Sequence, residues 1–301
     1  MLFLQVAAQA ANPPYVDLTA QFTRFADETA SLNEKARVAL FRKKFDALLP
    51  GFYQPRNGED PARYDARVAR GLHGFAALRS RYEQTQRDFP GAYAAGLAHF
   101  QKVFPGFQPN VPVIFLHSLG EMDGGTRKLG RRVYLIFGAD VIAQIHEARE
   151  LTPFLDHELF HVENGKYFPD CEQLWCTLWA EGLATYAARS MNPGADDRQL
   201  LLTSPAPIRA AVEATWPAAA CTTRAKLFSS KPADVDALFA GGAAGSAPFP
   251  DRYGYYVGLR AIEELGGKYG LPELAHMPPA RAKESLTAAL DRLIAKAKGC
   301  K

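Results

Sequence analysis

At 301 residues, with 48% apolar content and a formal net charge of +3, the chain can bury a substantial core as one large domain or two ordinary ones. Its basic residues form no long run. Arg127, Lys128, Arg131 and Arg132 make only a short cluster of the kind that solvates a loop, so no nucleic acid is expected as partner. No stretch approaches the roughly 20 apolar residues that cross a bilayer, so no membrane span is expected.

Residues 1–11 are apolar and alanine-rich, with Ala8-Gln9-Ala10 ahead of Pro13-Pro14. That is the small-x-small end of a secretory signal peptide lacking its basic start; a plain N-terminal helix is the alternative. Residues 17–48 read as helix, with Phe22, Phe25, Val38, Phe41 and Phe45 at helical spacing, and Leu49-Pro50-Gly51 stops it. Asp60-Pro61 starts a long helix to about Phe89, with Tyr64, Val68, Leu72 and Phe75 on one face, and Pro90 begins another to Val103. Residues 12–108 thus read as a helical layer with no chemistry of its own, its isolated His73 and His99 suiting packing or surface roles. From 109 the texture changes. Residues 113–116 and 132–137 read as short strands, with a glycine-marked loop over 123–130 between them, and residues 139–147 as a helix. An exposed strand edge at 132–137 could hold an extended peptide by backbone hydrogen bonds.

Next comes Leu155-Asp156-His157-Glu158-Leu159-Phe160-His161. Thr152-Pro153 reads as a helix start and Asn164-Gly165 as its stop. On a helix, side chains four apart lie one above the other, so His157 and His161 can offer two imidazoles to one metal ion. Glu158 is the neighbour that can reach a water on that metal without being a ligand. Two surface histidines need no metal, but Leu159 and Phe160 between them fit a buried helix with its ligands turned inward. A second helix over 171–190 carries Leu174, Leu178, Glu181, Ala184, Thr185 and Ala188 along one face, preceded by Pro169-Asp170 as an opening signal. A lone acid on such a face is expensive to bury unless paired or bound to metal, which marks Glu181 as third ligand. Short helical pieces at 208–215 and 233–239 and longer helices over 252–265 and 279–297 complete the chain. The fold class expected is α+β, predominantly helical, with a small sheet ahead of the motif helix, in a single domain over residues 12–301 whose catalytic region is 109–301.

His157-Glu158-x-x-His161 followed by Glu181-Gly182-Leu183-Ala184 resembles the gluzincin group of metallopeptidases. More narrowly it is similar to bacterial zinc-dependent proteases with a Glu-Gly-Leu-Ala segment, whose later Gly-Tyr-x-x-Gly has its counterpart in Gly254-Tyr255-Tyr256-Val257-Gly258. The likeness covers roughly residues 130–265. It implies a zincin-like fold, one zinc ion (Zn2+) per chain on His157, His161 and Glu181, and a peptide or protein substrate. Glu158 would act as general base on a zinc-activated water and return the proton to the leaving amine. Tyr255 or Tyr256 would steady the oxyanion, with Tyr253, Arg260, His117 and His146 as further candidates. Thr185 departs from the pattern, since the resemblance places there an aspartate bonded to a zinc histidine. The alternative function is a zinc-binding, catalytically inactive protease-like scaffold. Cys171, Cys176, Cys221 and Cys300 fit two disulfides in any of three pairings, in keeping with export to a bacterial periplasm or secretion; four buried thiols in a cytoplasmic protein are the other reading.

Overall fold

The computed structural model describes residues 15–55, 59–146, 150–168, 171–204, 206–241 and 247–300. The leader reading at 1–11 and the Pro169-Asp170 opening lie outside them. The fold is α+β and predominantly helical, as the sequence leads one to expect. Contacts divide it into two compact units, Met1–Arg87 with Gln108–Ile145, and Asp88–Phe107 with His146–Lys301. The sheet, grouped in sequence with the catalytic region, therefore falls in the same unit as the N-terminal helices.

In the first unit, β1 (Tyr15–Asp17) leads into α1 (Thr19–Glu28), α2 (Glu34–Leu48) and the 40-residue α3 (Pro61–Phe100). The single helix expected over 17–48 is broken, because the Asn33 side chain accepts a bond from Ala36 N at 2.9 Å and caps a new start. The break at Pro90 does not occur. A proline removes one ladder bond, but α3 continues through it, and the boundary between the units falls just before it, after Arg87. The core here is aromatic. Phe22 meets Phe75 edge-on at 5.1 Å and Phe41 lies 4.2 Å from Phe45.

The sheet contains β2 (Val113–Leu116), β3 (Gly124–Leu129) and β4 (Arg132–Gly138), in the order β1-β2-β4-β3, and α4 (Ala139–Ile145) follows it. β2 runs parallel to both β1 and β4, and β3 is antiparallel to β4. β2 is buried along its whole length and β4 over Leu135 to Gly138, as the apolar runs imply. Two expectations are corrected. The loop read over 123–130 is largely strand β3, closed onto β4 by a two-residue turn with Gly130 at φ 60°. β4 consequently has β3 along Arg132–Phe137 and β2 along Leu135–Gly138, so it is an inner strand rather than a sheet edge. The outer strand beside it is β3, where Arg127 and Lys128 are exposed, the charged dressing that discourages edge pairing.

The second unit holds the last turns of α3 and then α5 (Thr152–Asn164), α6 (Leu174–Met191), α7 (Ile208–Ala214), α8 (Trp216–Lys226), α9 (Pro232–Phe239), α10 (Tyr253–Gly266), α11 (Leu271–Ala275) and α12 (Pro279–Lys296). α6 is its centre, flanked by α5 and α10 and apolar almost all round, as a helix with neighbours on several sides must be. Its first amides are satisfied from elsewhere: Leu174 N donates to the Ser229 carbonyl and Trp175 N to that of Leu227, both at 2.9 Å. Two disulfides, Cys171–Cys176 and Cys221–Cys300, choose among the three pairings the sequence left open. The first staples the entry of α6, and the second ties α8 to the segment after α12. Among the described residues no helix is long and apolar enough to cross a membrane.

Candidate metal centre

α5 begins at Thr152 with Leu151 as its cap residue, so Thr152 is the first helical residue rather than the cap, and Pro153 sits in the first turn. At its far end the Asn164 side chain donates to the Ala275 carbonyl at 2.7 Å, and Glu163 meets His276 at 2.9 Å. A helix pinned this way holds its side chains in register. Leu155, Leu159 and Phe160 are sealed in the core, leaving His157 and His161 facing α6.

There they meet Glu181. His157 Nε2 and His161 Nε2 lie 3.1 Å apart, and Glu181 Oε2 is 3.3 Å from the first and 3.4 Å from the second. Four ligands at zinc bond lengths sit about 3.3–3.6 Å from one another at the corners of a tetrahedron. Three donor atoms at 3.1–3.4 Å therefore match three of those corners. Among the described residues this is the one group of three or more His, Cys, Asp or Glu side chains converging in this way. Exposure rises across it: the His157 side chain is 5% exposed, His161 16% and Glu181 21%. The cluster is thus least exposed at His157 and most exposed at Glu181.

The electrostatics suit a cation. Burial alone would raise the Glu181 carboxyl, yet His161 and His157 hold it well below the usual carboxylate range. Burial disfavours charge on His161, but the carboxylates of Glu181 and Glu158 outweigh it and push the imidazole up to about 9. Two neutral imidazoles leave the negative charge of Glu181 and Glu158 unbalanced, an arrangement that favours a cation between them.

Glu158 is buried next to His157, and its charge acts on both His161 and Tyr255. Tyr255 comes from α10, with its ring 6.3 Å from that of His157 and inclined to it by 28°. α10 brings it there through a contact between glycines. A Cβ on Gly258 would lie 2.8 Å from both Gly182 Cα and the Leu178 carbonyl, and one on Gly182 would lie 2.5 Å from Gly258 C. Only bare backbones permit this crossing of α6 and α10, which places Glu181 and Tyr255 beside one another. Gly258→Ala should therefore destabilise the fold by about 1–3 kcal/mol through overpacking against immovable backbone, read as a lower melting temperature. An unchanged melt would show that the helices separate without cost.

The other expected oxyanion donors are placed elsewhere. The Tyr256 hydroxyl is bonded to Glu213 and sits by Arg260, whose guanidinium lies over Trp216. Tyr253 is buried against Phe249, and His146 packs on Phe154. His117 belongs to the first unit, stacked 3.5 Å from Phe22. Thr185 also departs from its expected use: its hydroxyl donates to the Glu181 carbonyl at 2.8 Å, within its own helix.

Sequence reasoning missed the carboxylate behind the site. Asp156, fully buried next to His157, accepts from Asn192 at 2.7 Å and meets His99 Nδ1 at 2.9 Å. Burial pushes it up to about 6 against the pull of Asn192 and His99. It thereby ties α5 to the end of α6 and to α3, and His99 has a polar partner rather than a bare packing role. The signal was an acid on an otherwise apolar helix, the same argument that singled out Glu181.

No family model, curated protein or solved structure matches this chain.

Proposed function

We propose that the chain is a zinc-dependent peptidase of gluzincin type, with a zincin-like arrangement of α5, α6 and α10 around the metal. The observation that carries this reading is the convergence of three candidate ligand atoms from two helices, with the buried Glu158 and Tyr255 close by. His157, His161 and Glu181 would hold the ion. Bound there, zinc supplies Lewis acidity, making a water acidic near neutral pH and polarising a substrate carbonyl.

The chain's own groups do the rest. Glu158, adjacent to His157 and outside the ligand set, takes a proton from the attacking water and hands it to the departing amine. Tyr255 offers its hydroxyl to the oxygen on which negative charge develops. Burial, Glu181 and Glu158 all push that hydroxyl above the ordinary tyrosine range, so it stays a protonated donor at every physiological pH. The back of the cluster excludes water, which strengthens each of these interactions. The two disulfides favour an exported protein, since such pairs persist in oxidising compartments.

Zinc content tests the foundation. Purified protein should carry one zinc per chain, and His157→Ala should carry none while keeping its helical circular dichroism. Wild-type protein without stoichiometric zinc after reconstitution, or a His157→Ala variant that retains it, would sink the assignment.

A further inference from the structure

Resting on the peptidase reading, we infer that Arg252 is a positioning residue for the candidate active site, clamping the Tyr255 ring so that its hydroxyl stays beside the ligand cluster. Arg252 immediately precedes α10 with φ 63° and ψ 19°. That left-handed backbone is one a non-glycine residue seldom keeps, and such outliers gather where a side chain is put to use.

The side chain is held at two points. Its guanidinium donates to the Ser204 carbonyl at 3.2 Å, which fixes it to the segment ahead of α7. It also lies over the Tyr255 ring, 4.5 Å from the centroid. Phe239 closes on the same ring edge-on at 5.5 Å, and His157 flanks it at 6.3 Å. The ring is thus held by Arg252, Phe239 and His157.

A phenol held in one place can donate its hydrogen to an oxygen that comes up to it. With its ring held by the guanidinium, Phe239 and His157, the Tyr255 hydroxyl keeps one position, where the charges of Glu181 and Glu158 act on it. Arg252 touches neither substrate nor metal in this account. Its whole effect passes through Tyr255.

That dependence gives the test. Zinc-loaded full-length wild type, Arg252→Gly, Arg252→Lys, Tyr255→Phe and the Arg252→Gly/Tyr255→Phe double variant would be compared. Four quantities are measured: zinc content, melting temperature, kcat and KM on a cleaved peptide, and affinity for a phosphinic peptide that mimics the tetrahedral oxyanion. Glycine adopts φ 63° freely, so Arg252→Gly should keep zinc and melt near wild type. Its kcat should fall about tenfold to a hundredfold at unchanged KM, less than the roughly 100- to 1000-fold expected of losing a donor outright. Phosphinic-peptide affinity should fall in step, Arg252→Lys should recover part of both, and Arg252→Gly should add nothing once Tyr255 is phenylalanine. Additive losses in the double variant would overturn the inference. So would a rise in KM at constant kcat, the signature of an arginine that grips the substrate itself, or no effect at all. If wild type with full zinc neither cleaves peptides nor binds the phosphinic peptide, the peptidase reading fails and this inference falls with it. That result is distinct from additivity in an active enzyme.

Discussion

Glu158→Gln should retain a full complement of zinc and lose peptide hydrolysis by about 100- to 10,000-fold, the span general acid–base groups contribute. The amide is nearly the same size as the carboxylate, so the buried site can accommodate it without repacking. It is not one of the three converging side chains, which are His157, His161 and Glu181. What glutamine cannot do is take a proton from water at neutral pH. Zinc binding and turnover should therefore separate in this variant, whereas they fall together in His157→Ala. The measurement pairs metal analysis with cleavage of a peptide library. Undiminished turnover would remove Glu158 from the mechanism. Parallel loss of zinc would make it part of the metal-holding set instead.

The second large effect concerns the disulfides, and it distinguishes them. Cys221–Cys300 spans 79 positions and Cys171–Cys176 only 5. A cross-link stabilises chiefly by restricting the unfolded chain, and the restriction grows with the loop it closes. Cys300→Ser should therefore cost about 4–5 kcal/mol and Cys171→Ser about 2 kcal/mol, measured by denaturant unfolding of the oxidised proteins. The ordering is the critical point. If Cys171→Ser cost as much as Cys300→Ser, the short bridge would be acting on the folded state, by fixing the entry of α6 and hence the approach of Glu181. In that case its zinc affinity should drop as well.

The convergence of His157, His161 and Glu181 was legible from spacing because its parts are local. Two histidines four apart share a helix face wherever that helix lies, and a lone glutamate on an apolar helix must find a cation. The non-local parts were hidden. Asp156 and His99 are 57 positions apart, and nothing in either segment announces the other. β3 begins with two glycines and continues through Thr126, Arg127 and Lys128, a run without apolar alternation. Its strand state comes from the ladder that β4 offers. Pro90 carries a local signal for a break that the surrounding helix overrides. Thr185 shows the reverse: the position was identified, but a hydroxyl on a helix has its own backbone as nearest acceptor.

The crossing at Gly182 and Gly258 has a bearing on how damage to this protein would be diagnosed. Neither residue has a functional group, yet between them they fasten the helix of Glu181 to the helix of Tyr255. A saturation scan scored only by activity would rank these two glycines alongside His157 and Glu158 and invite a catalytic explanation. Scored for thermal stability as well, they would part company with Glu158, whose loss should leave the fold intact. The pattern to look for is a pair of intolerant positions, one on each helix, at which every side chain is harmful whatever its chemistry.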